Sequence, residues 1–299
     1  DVPLGAFLSG GIDSSLIVAL MQKLSDKPVK TFTIGFQDSS YDESKFAQTV
    51  ADHLKTDHST MLVTDEEVLS VIKSLPLMYD EPFADSSQIP TYLVSKAAKK
   101  HVTVALSGDA GDEIFGGYNR YLWVPKIWRL LQWVPFFLRQ SIAKSFQLIA
   151  IESWNKFFRP FKVNRPGEKI HKLASALKDA QSSQDLYFNL VRQWKDPATI
   201  LRGLSKASNK KNKFLASKFI IDSNIDLSES MMFADTMSYL PDDILAKVDR
   251  ASMFASLETR TPFLDKNVFE SAWRLSGHLK IHKGATKNPL RKILRKYIP

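Results

Sequence analysis

An apolar run that breaks at a Ser-Gly-Gly and resumes at once as a helix leaves a chain few architectures. Residues Leu4–Leu20 read LGAFLSGGIDSSLIVAL. A connection that merely joins two elements needs one glycine or an Asn-Gly pair. Ser9–Ser15 instead carries two glycines, three hydroxyls and a carboxylate. Placed between a strand and a helix, such a loop presents backbone N–H groups at a positive helix N-terminus, which is an anion site. It is not a Walker A loop, since no lysine follows the glycines, and it is not a GxGxxG turn. What survives is a loop that holds pyrophosphate, with Asp13 offering an oxygen to a divalent cation. Mg²⁺ takes only one or two carboxylates alongside phosphate oxygens.

The pattern around this loop repeats. Apolar runs at Leu4–Leu8, Thr31–Phe36, Ser59–Val63 and Val102–Leu106 predict buried strands. Helical patterns fall between them at Ser14–Leu24, Ser44–Lys55, Asp65–Leu75 and Ser87–Lys99. The predicted fold is therefore α/β, a doubly wound parallel sheet with a large helical C-terminal portion, and ligands in such sheets bind beyond the carboxyl ends of the strands. Residues 1–118 form the predicted α/β core with its pyrophosphate loop, and 119–299 the helical region that completes the site. Residues 119–238 are helix-biased, rich in Trp and Phe, chiefly over 119–161, and broken by Pro125, Pro135, Pro160 and Pro166. The aromatics read mainly as helix packing, with a membrane-surface or partner-docking face as the alternative. Gly203–Lys213 predicts an exposed loop. Further on, a proline-entered helix near Pro241–Ile244 and a basic helix over Asn288–Tyr297 are expected.

A second constellation, ALSGDAGDEIFGGYNRY over Ala105–Tyr121, again ends a strand in Ser-Gly and adds Asp109, Asp112 and Glu113. Carboxylates crowded beside a polyphosphate need a cation to offset their repulsion. Asp13 and Asp112 together form a candidate two-carboxylate Mg²⁺ cradle.

Composition narrows the chemistry. The 299 residues contain no cysteine, which removes disulfides, cysteine-ligated zinc, iron–sulfur clusters and any cysteine nucleophile on this chain, and fits a reducing, cytoplasmic setting. The formal charge of +9 invites a nucleic-acid reading, but the cations are scattered and read as solvated helix faces. No stretch reaches the ~18 apolar residues of a membrane span. The six histidines show no close metal spacing apart from His278 and His282.

These strings also resemble a known family. LSGGIDSS resembles the PP-loop of ATP pyrophosphatases, which have the adenine nucleotide alpha-hydrolase-like fold and cleave between the α- and β-phosphates. With LSGDAGDEIFGGYNRY, YDEPFADSSQIPTYLVSKAA, LPDDILAKVDRASM, SLETRTPFLD and GATKNPLRKIL, the chain is similar to the synthetase domain of glutamine-dependent asparagine synthetases. The resemblance is dense over 1–121 and 239–299. It implies a ligase that uses ATP and Mg²⁺ to adenylate a carboxylate, releases pyrophosphate, and lets ammonia displace AMP to give an amide. By match to the family, Leu8, Ile34, Ser107 and Gly108 contact adenosine, while Ser9, Gly10, Gly11, Asp13, Ser14 and Ser15 bind pyrophosphate. Asp13 and Asp112 hold the metal, Lys287 stabilises charge during both steps, and Asp109 and Tyr118 lie near the acyl group. Glu258, Arg260 and Asp265 read as a structural ion-pair set.

Two departures qualify the resemblance. Typical members carry Glu where Asp109 stands, and commonly Gly or Ser at Ala110. A carboxyl one methylene shorter moves by more than about 1 Å, enough to affect positioning. The acceptor is most simply the aspartate side chain, and another carboxylate such as a sugar acid stays open. The family's glutaminase nucleophile is an N-terminal cysteine, which this chain lacks. A glutaminase domain of a longer chain is the expected partner, a small carboxylate and ammonia are the expected substrates, and a homodimer is left open. Nucleic acid and membrane are not expected partners. A PP-loop tRNA-modifying enzyme and a non-catalytic nucleotide-binding module are the readings from other classes.

Overall fold

The computed structural model describes residues 2–36, 42–161, 165–191 and 225–299. The stretch Gly203–Lys213 lies outside the described residues. Two compact units are present, one from Asp1–Gly117 with Asp235–Pro299 and the other from Tyr118–Ala234.

The first unit begins with β1 (Leu4–Phe7), α1 (Ile12–Lys23), β2 (Lys30–Phe36), α2 (Ser44–Leu54) and β3 (Asp57–Val63). It continues with α3 (Asp65–Ile72), α4 (Leu75–Met78), α5 (Gln88–Lys99), β4 (Val104–Leu106) and α6 (Gly111–Phe115). The predicted strands and helices are all found to within a few residues, because buried β-rich runs alternate with amphipathic ones. The helical stretch predicted to end at Leu75 stops at Ile72, and α4 takes over with Pro76 in its first turn, where a missing N–H costs nothing. Thr64 and Glu67 close a reciprocal capping box at the start of α3.

The second unit is helical: α7 (Asn119–Leu131), α8 (Phe136–Leu148), α9 (Ile151–Phe158), α10 (Pro166–Lys178), α11 (Ser183–Val191) and α12 (Leu227–Ala234). Here α10 packs against α8, α9 and α11, while α11 and α12 pack against α7. Tyr121, Leu186, Tyr187 and Met231 are fully buried. Pro135 and Pro166 open α8 and α10, where fixed φ suits helix entry, whereas Pro125 lies inside α7. Arg139 is buried, donating from Nη1 to the Ala180 carbonyl at 3.2 Å and lying 5.1 Å from the Trp128 ring centroid.

Residues Asp235–Leu245 return the chain to the first unit as a π-helix. The sequence pattern predicted a helix entered at Pro241; the structure instead seats Pro241 inside a helix begun six residues earlier. A proline ring inside an α-helix crowds the carbonyl four residues back, and here the helix around Pro241 is wound in the wider i→i+5 manner. After it come α13 (Ala246–Phe254), β5 (Glu258–Arg260), α14 (Lys266–Arg274), α15 (Gly277–Lys280) and α16 (Asn288–Leu294).

All five strands are parallel, in the order β3-β2-β1-β4-β5. The chain winds outward from β1 to β3, then crosses back to place β4 on the other side of β1, with Gly5 opposite Ala105. The order reverses between β1 and β4, so the loops that leave these two strands flank the crevice where ligands bind. The close packing of β1 is set by Gly5: a Cβ there would lie 2.8 Å from the Phe32 ring and 2.9 Å from the Lys30 carbonyl oxygen. β5 escaped the sequence pattern because three residues, two of them charged, carry no apolar period. Among the described residues no helix is long and apolar enough to cross a membrane.

Candidate active site

The loop after β1 is tied by its own hydroxyls. Ser9 Oγ and Ser14 Oγ are 2.9 Å apart, the Ser9 N–H donates to Ser14 Oγ at 3.2 Å, and the Gly11 N–H donates to Ser9 Oγ. Gly10 has a φ of +78°, and a Cβ there would meet the Phe46 carbonyl carbon at 2.7 Å. This glycine is therefore required by the turn and by close contact with α2. No side chain caps α1, so its first-turn N–H groups keep their donor character at the positive helix end. Ser15 is buried, and its Oγ finds no hydrogen-bond partner among the described residues.

The loop after β4 meets the first loop head-on. Asp13 and Asp112 stand in the first turns of α1 and α6, and both carboxylates converge on the Lys287 ammonium. Lys287 Nζ is 2.7 Å from Asp112 Oδ1 and also donates to Asp13 Oδ2. Lys287 is buried and sits in the left-handed region (φ +54°) as the residue that opens α16. That conformation aims its side chain back across the sheet end to a residue 274 positions away.

Glycines allow this convergence. A Cβ at Gly111 would lie 2.6 Å from Asp13 Cγ, and one at Gly108 would lie 2.9 Å from the Ser14 nitrogen. A Cβ at Gly117 would overlap Asp112 Oδ1 and Lys287 Cε. The glycine spacing of SGDAGDEIFGG is thus the imprint of one ion cluster. Ala110 has a φ of +70°, a conformation that costs any residue with a Cβ about 1–2 kcal/mol, which explains why glycine suits this position.

The electrostatics follow from burial. Burial pushes the Asp13 carboxyl up to about 6; Lys287 opposes this, and Asp112 and Asp109 add to it. Burial alone would push the Lys287 ammonium down, yet Asp13 and Asp112 outweigh it and hold the pKa above the ordinary lysine range. At neutral pH the lysine is charged and so is Asp13. One oxygen of Asp13, Oδ1, is buried with no hydrogen-bond partner among the described residues. A buried orphan acceptor beside a second carboxylate fits a divalent cation held with phosphate oxygens. No group of three or more metal-ligating side chains occurs among the described residues.

The remaining predicted residues fall as follows. Asp109 accepts a hydrogen bond from Ser107 Oγ; burial raises its pKa, and the Ser107 hydroxyl and the Lys247 charge offset only part of that. Ser107 is buried, with its N–H on the Arg260 carbonyl at 2.8 Å. The Leu8 side chain lies in a core cluster with Ala6, Val18, Ala47 and Ala51, so only its main chain is left to face a nucleotide. Ile34 packs against the cluster of Val63, Met78 and Leu93. Tyr118 opens α7 in the second unit, under the Arg120 guanidinium at 3.8 Å. Arg260 pairs with Glu258 at 2.6 Å on the surface, and Asp265 caps α14.

Against this geometry the comparisons are decisive. The asparagine synthase family model matches residues 1–299. The chain belongs to the asparagine synthase family. It is 32% identical over its whole length to asparagine synthetase [glutamine-hydrolyzing] 1 of Bacillus subtilis, covering 44% of that protein. It is likewise 32% identical, over its whole length, to a putative glutamine-hydrolysing asparagine synthetase of Mycobacterium tuberculosis, covering 43% of it. A putative asparagine synthetase of Methanocaldococcus jannaschii is 48% identical over 123 residues, or 41% of this chain and 24% of the relative. The chain thus spans under half the length of the full-length curated relatives it matches.

One group was missed by the sequence reading. Lys247 of α13 is buried with Nζ 2.8 Å from Asp85 Oδ2, and Asp243 of the π-helix adjoins them. Burial alone would push Asp85 up, but hydrogen bonds from Lys247 and Ser87 hold it below the ordinary value. Burial and the neighbouring Asp85 charge push Asp243 up to about 6. The motifs YDEPFADSS and LPDDILAKVDR were visible, but the 162 positions separating Asp85 from Lys247 concealed the pairing.

Proposed function

We propose that this chain carries out ATP-dependent amide formation, in which a carboxylate is adenylated with release of pyrophosphate and ammonia displaces AMP from the acyl-adenylate. The observation that carries the reading is the convergence of Asp13, Asp112 and Lys287 between the two loops at the sheet's switch point. In the first step a carboxylate oxygen attacks the α-phosphorus and the bond to the β-phosphate oxygen breaks. Negative charge grows on the transferring phosphoryl group and on the departing pyrophosphate. The uncapped N–H groups of α1 and the hydroxyls of Ser9, Ser14 and Ser15 bind the pyrophosphate, and the charged Lys287 stabilises the developing charge from a fixed position. Asp13 and Asp112 would hold Mg²⁺, which supplies charge neutralisation on the phosphates when bound. In the second step ammonia adds to the acyl carbon, AMP leaves, and one proton is lost to give the amide.

The acceptor we favour is the side-chain carboxyl of aspartate, since the relatives are named asparagine synthetases. A further carboxylate, such as a sugar acid, is kept because Asp109 is shorter than the glutamate expected there. The chain has no cysteine, so we assign ammonia supply to a glutaminase domain such as the relatives' names imply.

Pyrophosphate release from MgATP and ammonium tests the reading, with aspartate and then a panel of other carboxylic acids. Aspartate-dependent release with asparagine as product supports it in full. Release with a different acid keeps the chemistry and moves the acceptor. Absence of release with every acid, from protein that still binds ATP, overturns it.

A further inference from the structure

The helical unit carries large apolar side chains and cations side by side on its surface. Along α7 the exposed residues recur at helical spacing: Trp123, Lys126 and Leu130, with Arg129 beside them, and the stripe runs on to Trp133 just past the helix end. Trp123, Leu130 and Trp133 are 59%, 75% and 83% exposed. Opposite them, Tyr121 and Val124 are buried, so the helix already has a core face. On α8 the same arrangement returns: Arg139 and Ala143 are buried, while Phe137, Ser141, Lys144 and Leu148 recur at helical spacing and are exposed. Phe137 and Leu148 are 65% and 86% exposed. An ordinary surface helix puts charges outside and apolar residues inside. These two helices put tryptophan, leucine and phenylalanine outside as well, with lysines and arginines interleaved.

Charge says what the face meets. Residues 119–161 hold seven lysines and arginines against one acidic residue, Glu152; Arg139 is buried, while Lys126, Arg129 and Lys144 are exposed within these two stripes. We propose that the outward stripes of α7 and α8 dock on an anionic lipid bilayer. Trp123, Leu130, Trp133, Phe137 and Leu148 would enter the boundary between headgroups and acyl chains, and Lys126, Arg129 and Lys144 would reach lipid phosphates. Tryptophan prefers that boundary, lysine and arginine extend from it to the phosphates, and cations close to an anionic surface each contribute to binding. A second copy of the chain is disfavoured, because a two-fold contact would bring the same cations together. A nucleic acid is disfavoured because Leu130 and Leu148, 75% and 86% exposed, have no ring on which a base can stack and would stay in water beside one.

The test uses the whole 299-residue chain and vesicles of phosphatidylcholine alone or mixed equally with phosphatidylglycerol. The expected result is co-sedimentation with the mixed vesicles only, weakened by salt. Trp123→Ala with Trp133→Ala should weaken binding by about tenfold or more. Lys126→Ala with Arg129→Ala should weaken it by at least about tenfold. All four side chains lie on the exposed side of the unit, so circular dichroism and the melting temperature should stay unchanged and a folding defect is recognised at once. Absence of co-sedimentation overturns the proposal. So does binding that survives the tryptophan changes, which would mark simple attraction to a polyanion, and so does concentration-dependent self-association that the tryptophan changes abolish.

Discussion

Two buried lysines of the first unit are held in nearly the same way, yet they sit in different surroundings. Lys287 lies between Asp13 and Asp112, and Lys247 lies against Asp85 with Asp243 adjoining. Each cluster contains one aspartate pushed up to about 6 and one buried carboxylate oxygen without a hydrogen-bond partner, Asp13 Oδ1 and Asp243 Oδ1. The surroundings differ. The Lys287 cluster is walled by Gly108, Gly111 and Gly117 and lies at the ends of β1 and β4. The Lys247 cluster is walled by helices: α13 packs on α5, and the Tyr79 hydroxyl donates to the Lys247 carbonyl. A glycine wall brings backbone N–H groups and carboxylates within reach of a ligand. A helix wall fastens one element to another. In the reaction proposed above, the Lys287 triad serves the chemistry, whereas the Lys247 triad ties the loop before α5 to α13.

Removing each lysine separates the two roles most sharply. Lys287→Met should reduce pyrophosphate release by about 10²–10³-fold, the loss typical of a preorganised charge stabiliser, with ATP binding weakened less. Lys247→Met should instead cost about 1–3 kcal/mol of folding stability, because it leaves the half-buried Asp85 carboxylate without its cation. Denaturant unfolding and steady-state pyrophosphate assays on both variants decide the matter. If Lys247→Met lost activity as severely as Lys287→Met at unchanged stability, the division of labour would be wrong.

A smaller effect probes the wall itself. Gly111→Ala places a methyl 2.6 Å from Asp13 Cγ, where backbone and cluster leave no room. It should cost about 1–3 kcal/mol, as overpacking does, and reduce pyrophosphate release with it. Gly11→Ala, in the matching loop after β1, meets only Ser9 Oγ at 3.2 Å and should cost less than about 1 kcal/mol. Equal losses in thermal melts of the two variants would mean that the two loops are built alike after all.

Much of the first unit was legible because its signals are local. Buried strands, crossover helices and the glycine loops announce themselves within a dozen residues, and the placement of Asp13 beside Asp112 follows from parallel strands that meet at a switch point. Lys287 was reachable only through its motif, since nothing local says that a left-handed residue before Pro289 points back across the sheet. The Lys247 pair depends on a contact between a loop and a helix far apart in the chain, and the π-helix that presents Asp243 has no sequence period of its own. The strand β5 is too short to show alternation. In each case the missing information was tertiary.

The gentlest discriminator is the titration of Asp243, which has a counterpart only in the Lys287 cluster. Its folded pKa of about 6 exceeds the ordinary 3.8, so the native state holds this proton more tightly than the unfolded chain does. The stabilisation from that proton is complete below about pH 4 and is lost as pH rises through about 6. Near neutral pH the ionised carboxylate faces Asp85 and is only partly offset by Lys247. Asp243→Asn should therefore stabilise the protein at neutral pH by about 1 kcal/mol, a figure reduced from the full shift because the side chain is partly exposed. The gain should shrink as pH falls below about 6 and vanish below about 3, where the wild-type carboxyl is neutral in both the folded protein and the unfolded chain. Urea unfolding of both proteins across this range measures it. A gain that stayed constant with pH would show that Asp243 carries no raised pKa, and the likeness between the two lysine clusters would then reduce to their ion pairs.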